Sequence, residues 1–285
     1  MIKLQTPVNF DASSVRISLN DRVLALGSCF ADEVGSHMKE AGLNVCVNPF
    51  GTLYNPASIL NSLIRLNDGH SFSKADCVDM GAGAGLVCSF YHHTSFARNN
   101  ADEFLINANA ELDKAAEFWK SCNKVVVSLG TIYCFYSKLS GEVVSNCLKR
   151  PANEFERRAL SMDETVSILQ SIVKICNGRE IIFTVSPIRH LADGAHGNQL
   201  SKSTLLLAVN SVKGEGIEYF PAYEIMLDEL RDYRFYAEDM AHPSAQAVDY
   251  IWQRFKDFAV SESEIEMLRL NEKAFRSSLH RPMHP

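Results

Sequence analysis

"RVLALGSCFADEVGSHMKEAG", residues 22–42, decides the fold. A short apolar run, Val23-Leu24-Ala25-Leu26, stops at Gly27-Ser28-Cys29, and an amphipathic pattern begins at once. Four consecutive apolar residues read as a strand buried on both faces, as in parallel sheets. The 3.6-residue periodicity that follows reads as a helix over about 30–41. A strand that hands over to a helix through Gly-Ser leaves two roles open for Ser28. It is a helix N-cap, or it is a nucleophile held at the end of a strand.

The same alternation continues along the chain. Residues 43–47, 124–129 ("KVVVSL"), 180–185 and 217–220 read as strands. Helical spacing covers about 56–66, 101–122, 163–176, 199–212, 223–230 and 244–260. Pro56 suits a first helical turn. Ser161 and Glu164 form a capping box, and Gly178 closes that helix. "TIYCFYSKLSGEVV" (131–144) reads as a hairpin centred on Ser140-Gly141. Residues 69–100 read as irregular, and the glycines of "MGAGAGLVCSF" (80–90) lack the strand and helix that a phosphate loop needs. There is no repeat, linker or low-complexity segment, so residues 1–285 read as one domain. The expected fold is α/β: a three-layer αβα sandwich around a parallel sheet of about five strands.

Composition narrows the function. The 285 residues are 46% hydrophobic and 22% charged, ordinary for a globular chain. A net charge of -6 gives no basic surface for nucleic acid. No run of about 18 apolar residues offers a membrane span, and the first residues lack a signal peptide's apolar stretch, so a cytoplasmic location is expected. None of the 8 cysteines forms a CxxC pair, and several lie in apolar runs, which reads as reduced, packed thiols. His92, His93, His190 and His196 follow no metal-ligand spacing. No metal and no cofactor are expected.

In open parallel sheets ligands gather at the carboxyl ends of the strands. Those ends here carry Gly27-Ser28, "NPFGTLYNP" (48–56), Gly130-Thr131, Ser186-Pro187 followed by "IRH", and "EDMAHPS" (238–244). Asp239 and His242, three residues apart in one turn, are able to act together. The imidazole would take the Ser28 hydroxyl proton while Asp239 fixes its tautomer. Each residue also has a plainer reading, as cap or turn former. Cys29 is either a packed thiol or a competing nucleophile. Arg189 and His190 at a strand end suit an anionic or sugar substrate, or simple solvation. His92 and His93 are assigned to the pocket rim.

"GSCFA" (27–31) resembles the namesake motif of the GSCFA family, a branch of the SGNH/GDSL hydrolase superfamily. "NPFGTLYNPASI" (48–59), "SFYHHTSF" (89–96), "SLGT" (128–131), "NEFERR" (153–158), "TVSPIRH" (184–190), "DMAHPS" (239–244) and "HRP" (280–282) extend the likeness over nearly the whole chain. The resemblance implies a flavodoxin-like SGNH fold, Ser28 as nucleophile, Asp239 and His242 as its partners, and Gly51 as a backbone oxyanion donor beside the Ser28 N–H. The superfamily's Gly-x-Asn after the third strand is replaced by Gly130-Thr131-Ile132. The third donor is therefore expected from Thr131, with Asn55, His92 or His93 in reserve. Two functions follow. One is a serine ester hydrolase or acyltransferase acting on a small-molecule or carbohydrate ester. The other is a catalytically weak or inactive binding protein on the same scaffold.

Overall fold

The structure is a computed structural model that describes residues 5–279 except 82 and 84. The "HRP" motif and part of the glycine run at 80–85 lie outside the described residues. In chain order the elements are β1 (Arg22–Gly27), α1 (Cys29–Glu40), β2 (Asn44–Val47), α2 (Pro56–Asp68), β3 (Val78–Asp79), β4 (Val87–Cys88), α3 (Ala101–Ser121), β5 (Lys124–Leu129), β6 (Tyr133–Ser137), β7 (Val143–Val144) and β8 (Phe155–Ala159). Then come α4 (Met162–Ile175), β9 (Glu180–Val185), α5 (Gly194–Val212), β10 (Ile217–Phe220), the single turn α6 (Ala222–Glu224) running into a wide turn at Ile225–Glu229, α7 (Ala245–Ala259) and α8 (Glu262–Leu279).

Five strands form a parallel sheet in the order β10-β9-β5-β1-β2. Alternate residues feed two cores, because successive strand side chains point to opposite faces. Leu24, Leu26, Val125, Val127, Ile181 and Phe183 pack with α2, α3, α4 and α5. Val23, Ala25, Val126, Ile182 and Phe220 pack with α1 and α7. Burying one such side chain is worth about 1.5–3 kcal/mol, which is why the strands read as continuous apolar runs. The chain is therefore an α/β three-layer sandwich, as expected.

The helices begin where their caps place them. The side chains of Ser28, Asn55, Asn100, Ser161 and Ser244 each accept a backbone N–H from the first turn of their helix. The hairpin at 133–144 is present, with Gly141 at φ +73° in its turn.

Three features differ from expectation. The segment Phe155–Ala159 is a strand, pairing with β6 to make a second, antiparallel sheet β7-β6-β8. Residues 69–100 contain the short β3–β4 pair. A further helix, α8, follows the last expected one; it packs through Leu268 and Glu272, whose carboxylate accepts from Trp252 Nε1 (2.8 Å) and Lys256 Nζ (2.7 Å). All eight cysteines are free thiols. Among the described residues, no helix is long and apolar enough to cross a membrane.

Candidate functional site

The β1–α1 turn is built on Gly27, which sits at φ +130° with its Cα pressed against the Ser128 carbonyl. Any side chain would collide there, so glycine is required. The next residue, Ser28, is fully buried. Its N–H donates to Ser128 O (3.0 Å), and its Oγ lies 2.9 Å from Ser128 Oγ while accepting from Phe30 N (3.3 Å). Ser28 therefore caps α1 and points along the sheet toward β5. Cys29 is only partly buried, and its Sγ lies 3.6 Å from the Tyr54 hydroxyl. Burial pushes its thiol pKa up, against the lowering effect of the Tyr54 hydrogen bond.

On the far side of the carboxyl edge, Asp239 and His242 form a pair. Asp239 Oδ2 lies 2.5 Å from His242 Nδ1, and its Oδ1 accepts from the N–H groups of Ala241 and His242, both at 2.9 Å. Those two backbone bonds, with the imidazole's, hold the carboxyl down at about 2. The turn is pinned by Ala237 N to His242 O (2.8 Å) and by Arg189 N to Ala241 O (3.0 Å), and Met240 takes a left-handed φ of +56° to close it.

The structure joins Asp239 to His242, while among the described residues no hydrogen bond joins Ser28 to His242. The Ser28 hydroxyl instead meets the Ser128 hydroxyl and accepts from Phe30 N. The oxyanion donors differ from expectation for the same reason. The Ser28 N–H is consumed by Ser128 O, and the Gly51 N–H donates to Asn48 O (2.7 Å). Gly51 is needed for its backbone, since it holds φ +79° with its Cα against His93 Cβ. Thr131 Oγ1 lies 3.2 Å from Ser201 Oγ and accepts from Tyr133 N (3.1 Å).

His92 is a correction. It is fully buried among Phe50, Phe72, Phe96 and Phe104, with ring centroids 4.6–5.4 Å away, and Nδ1 lies 2.7 Å from Ser89 Oγ. Burial drives its pKa down to about 3, so it is a neutral core group. His93 caps the short turn Thr94–Phe96 by accepting from Ser95 N (3.3 Å). Neither histidine borders the cavity at the carboxyl edge.

That cavity, of about 300 Å³, is lined by Asn55, Thr131, Arg189, His190 and His242 from the expected set. The second sheet supplies Tyr133, Phe135 and Arg157, and Tyr54 completes the wall beside Cys29. Asn55 is nine-tenths buried and spends Oδ1 on capping α2 through Ser58 N (2.8 Å). Its Nδ2 has no partner among the described residues and is a free donor in the wall. His190 is driven down to about 4, chiefly by burial and then by the charges of Lys202, His242 and Arg157. Among the described residues no group of three His, Cys, Asp or Glu is placed to hold a metal.

Sequence reasoning missed Tyr54 and Lys202. The Tyr54 carbonyl accepts from both Gly130 N and Thr131 N at 2.9 Å, and its ring stands 5.9 Å from that of His190. Lys202 is fully buried and donates to Gly130 O (2.7 Å) and Ser186 O (2.8 Å), the carbonyls just beyond β5 and β9. Its signal was legible: Lys202 shares an inward face with Asn198, Leu205 and Val209, spaced three to four apart.

No curated protein and no solved structure matched the chain in comparison. The GSCFA family matches over residues 22–255, which span β1 to α7 and hold every residue of the site, and the chain belongs to the GSCFA family.

Proposed function

We propose that the chain is an acyl-ester hydrolase or acyltransferase of the SGNH kind, working at the carboxyl edge of the parallel sheet on a small-molecule or O-acyl carbohydrate ester. The observation that carries this reading is the Asp239–His242 pair. An imidazole whose Nδ1 is held by a doubly anchored carboxylate presents Nε2 as the base, on the wall of a cavity that also holds a free amide donor. His242 takes the nucleophile's proton and returns it to the leaving alcohol. Asn55 Nδ2 is the donor best placed for the developing oxyanion, since the Ser28 and Gly51 N–H groups are occupied.

The β1–α1 turn supplies the nucleophile. Ser28 acts only after its hydroxyl leaves Ser128 and the α1 cap, a change worth about 1 kcal/mol. Cys29 competes for the role, because the residue is only partly buried where Ser28 is fully buried. The same burial, with both backbone donors spent, favours as second reading a binding protein on this scaffold. A fluorophosphonate probe separates the three. Labelling lost in both Ser28→Ala and His242→Ala supports the serine mechanism. Turnover that survives Ser28→Ala and is lost in Cys29→Ala, with iodoacetamide in place of the fluorophosphonate as the trapping reagent, assigns the thiol. A wild-type protein that neither labels nor turns over aryl esters refutes the hydrolase reading.

A further inference from the structure

Charge around the cavity is unbalanced. Arg157 and Arg189 both line it, and Asp193 is the one acid among the described lining residues. Asp193 is consumed by its ion pair with Arg157, whose guanidinium also lies 4.1 Å from the centre of the Tyr133 ring. Arg189 has neither. Among the described residues no carboxylate lies within ion-pair distance of it, no aromatic face covers it, and its buried Nε has no hydrogen-bond partner. Among the described residues its one hydrogen bond runs from the backbone N–H to Ala241 O, which fixes its base beside the His242 turn. Beneath it the Lys202 amine is fully buried and, among the described residues, hydrogen-bonds only to two carbonyls and to no acid.

A half-buried guanidinium normally acquires a carboxylate or phosphate, because its planar donors are otherwise desolvated without return. Here the chain supplies the cavity, the positive charge and an aromatic wall, and withholds the anion. We propose that Arg189 anchors an oxyanion of the ligand, a carboxylate or a phosphoryl group, so that the molecule held beside His242 is negatively charged. The further statement that this molecule is an ester rests on the acyl-transfer reading; the anion anchor does not. The aromatic edges of Tyr133 and Phe135 would then cover the neutral part of the same ligand.

Equilibrium calorimetry with benzoate, phenyl phosphate and the neutral isostere benzamide tests this without turnover. Wild type should bind at least one anion about tenfold or more tightly than benzamide, the range expected for hydrogen bonds to a charged group. Arg189→Gln should remove that preference, and Arg189→Lys should keep part of it, since a point charge replaces a fork. Preference for phenyl phosphate over benzoate assigns a phosphoryl ligand, and the reverse a carboxylate. Equal binding of all three by wild type, no binding of any, or an anion preference that survives Arg189→Gln overturns the proposal. Should Arg189→Gln fail to fold, salt decides on wild type. Raising it from about 0.05 to 0.5 M should weaken the anions and spare benzamide; equal effects overturn the anchor. A protein that prefers benzoate yet neither labels with fluorophosphonate nor turns over aryl esters keeps the anchor and loses the esterase, and the converse result loses only the anchor.

Discussion

Replacing Lys202 by methionine should change how stability depends on pH. The lysine is fully buried against two carbonyls and, among the described residues, makes no ion pair with an acid. Two acceptors match the two N–H bonds of a neutral amine and leave an ammonium's third unsatisfied. Burial, followed by the charge of Arg189, takes its pKa from 10.5 down to about 7. The folded value lies below the unfolded one. Between these two values the unfolded chain therefore binds the extra proton, and stability rises with pH across that window. At about 1.4 kcal/mol per unit, Lys202 should contribute a rise on the order of 2 kcal/mol between about pH 7.5 and 9.5. The buried thiols of Cys134 and Cys176, pushed up to about 12, act in the opposite sense in alkali. They are common to both proteins and cancel in the difference. Urea unfolding of wild type and Lys202→Met across that range gives the test. The wild-type advantage should grow with pH. Parallel curves would mean that Lys202 keeps its proton throughout, and the matching of two acceptors to a neutral amine would be wrong.

Two further outcomes follow from single residues. Gly51→Ala puts a methyl group against His93 Cβ at a positive φ, so it should cost about 1–3 kcal/mol and lower Tm by several degrees in a thermal melt; an unchanged Tm would refute the close approach. His92→Leu removes a group whose folded pKa of about 3 lies below its unfolded value. Wild type loses stability as pH falls below about 6.5, so the variant should be spared about 2 kcal/mol of that loss by pH 4.5, and acid unfolding curves that stay parallel would refute it.

The five parallel strands were legible because a strand buried on both faces has no alternative to a continuous apolar run. Phe155–Ala159 was not, since "FERRA" is an exposed strand whose charges carry no such run. The helix Glu262–Leu279 escaped because only Leu268 and Glu272 in it are buried. In the site, the Asp239–His242 pair depends on spacing within one turn, which a sequence displays. The oxyanion donors depend on which carbonyl each N–H meets, and nothing local tells the Ser28 N–H that it will donate to Ser128 O, a hundred residues on. His92 looked like a loop histidine because three of the four phenylalanines around it, Phe50, Phe72 and Phe104, come from other segments.

Tyr54 joins three strand ends through three different parts of one residue: its carbonyl to the residues after β5, its ring to His190 after β9, and its hydroxyl to Cys29 after β1. A cavity-wall phenol that also contacts a partly buried thiol makes occupancy chemically readable. A ligand that displaces the Tyr54 ring should break the contact of its hydroxyl with Cys29 Sγ, and one that leaves the ring in place should keep it. The alkylation rate of Cys29, read peptide by peptide among the eight free thiols, should therefore report whether a ligand moves Tyr54, whether or not that ligand is turned over.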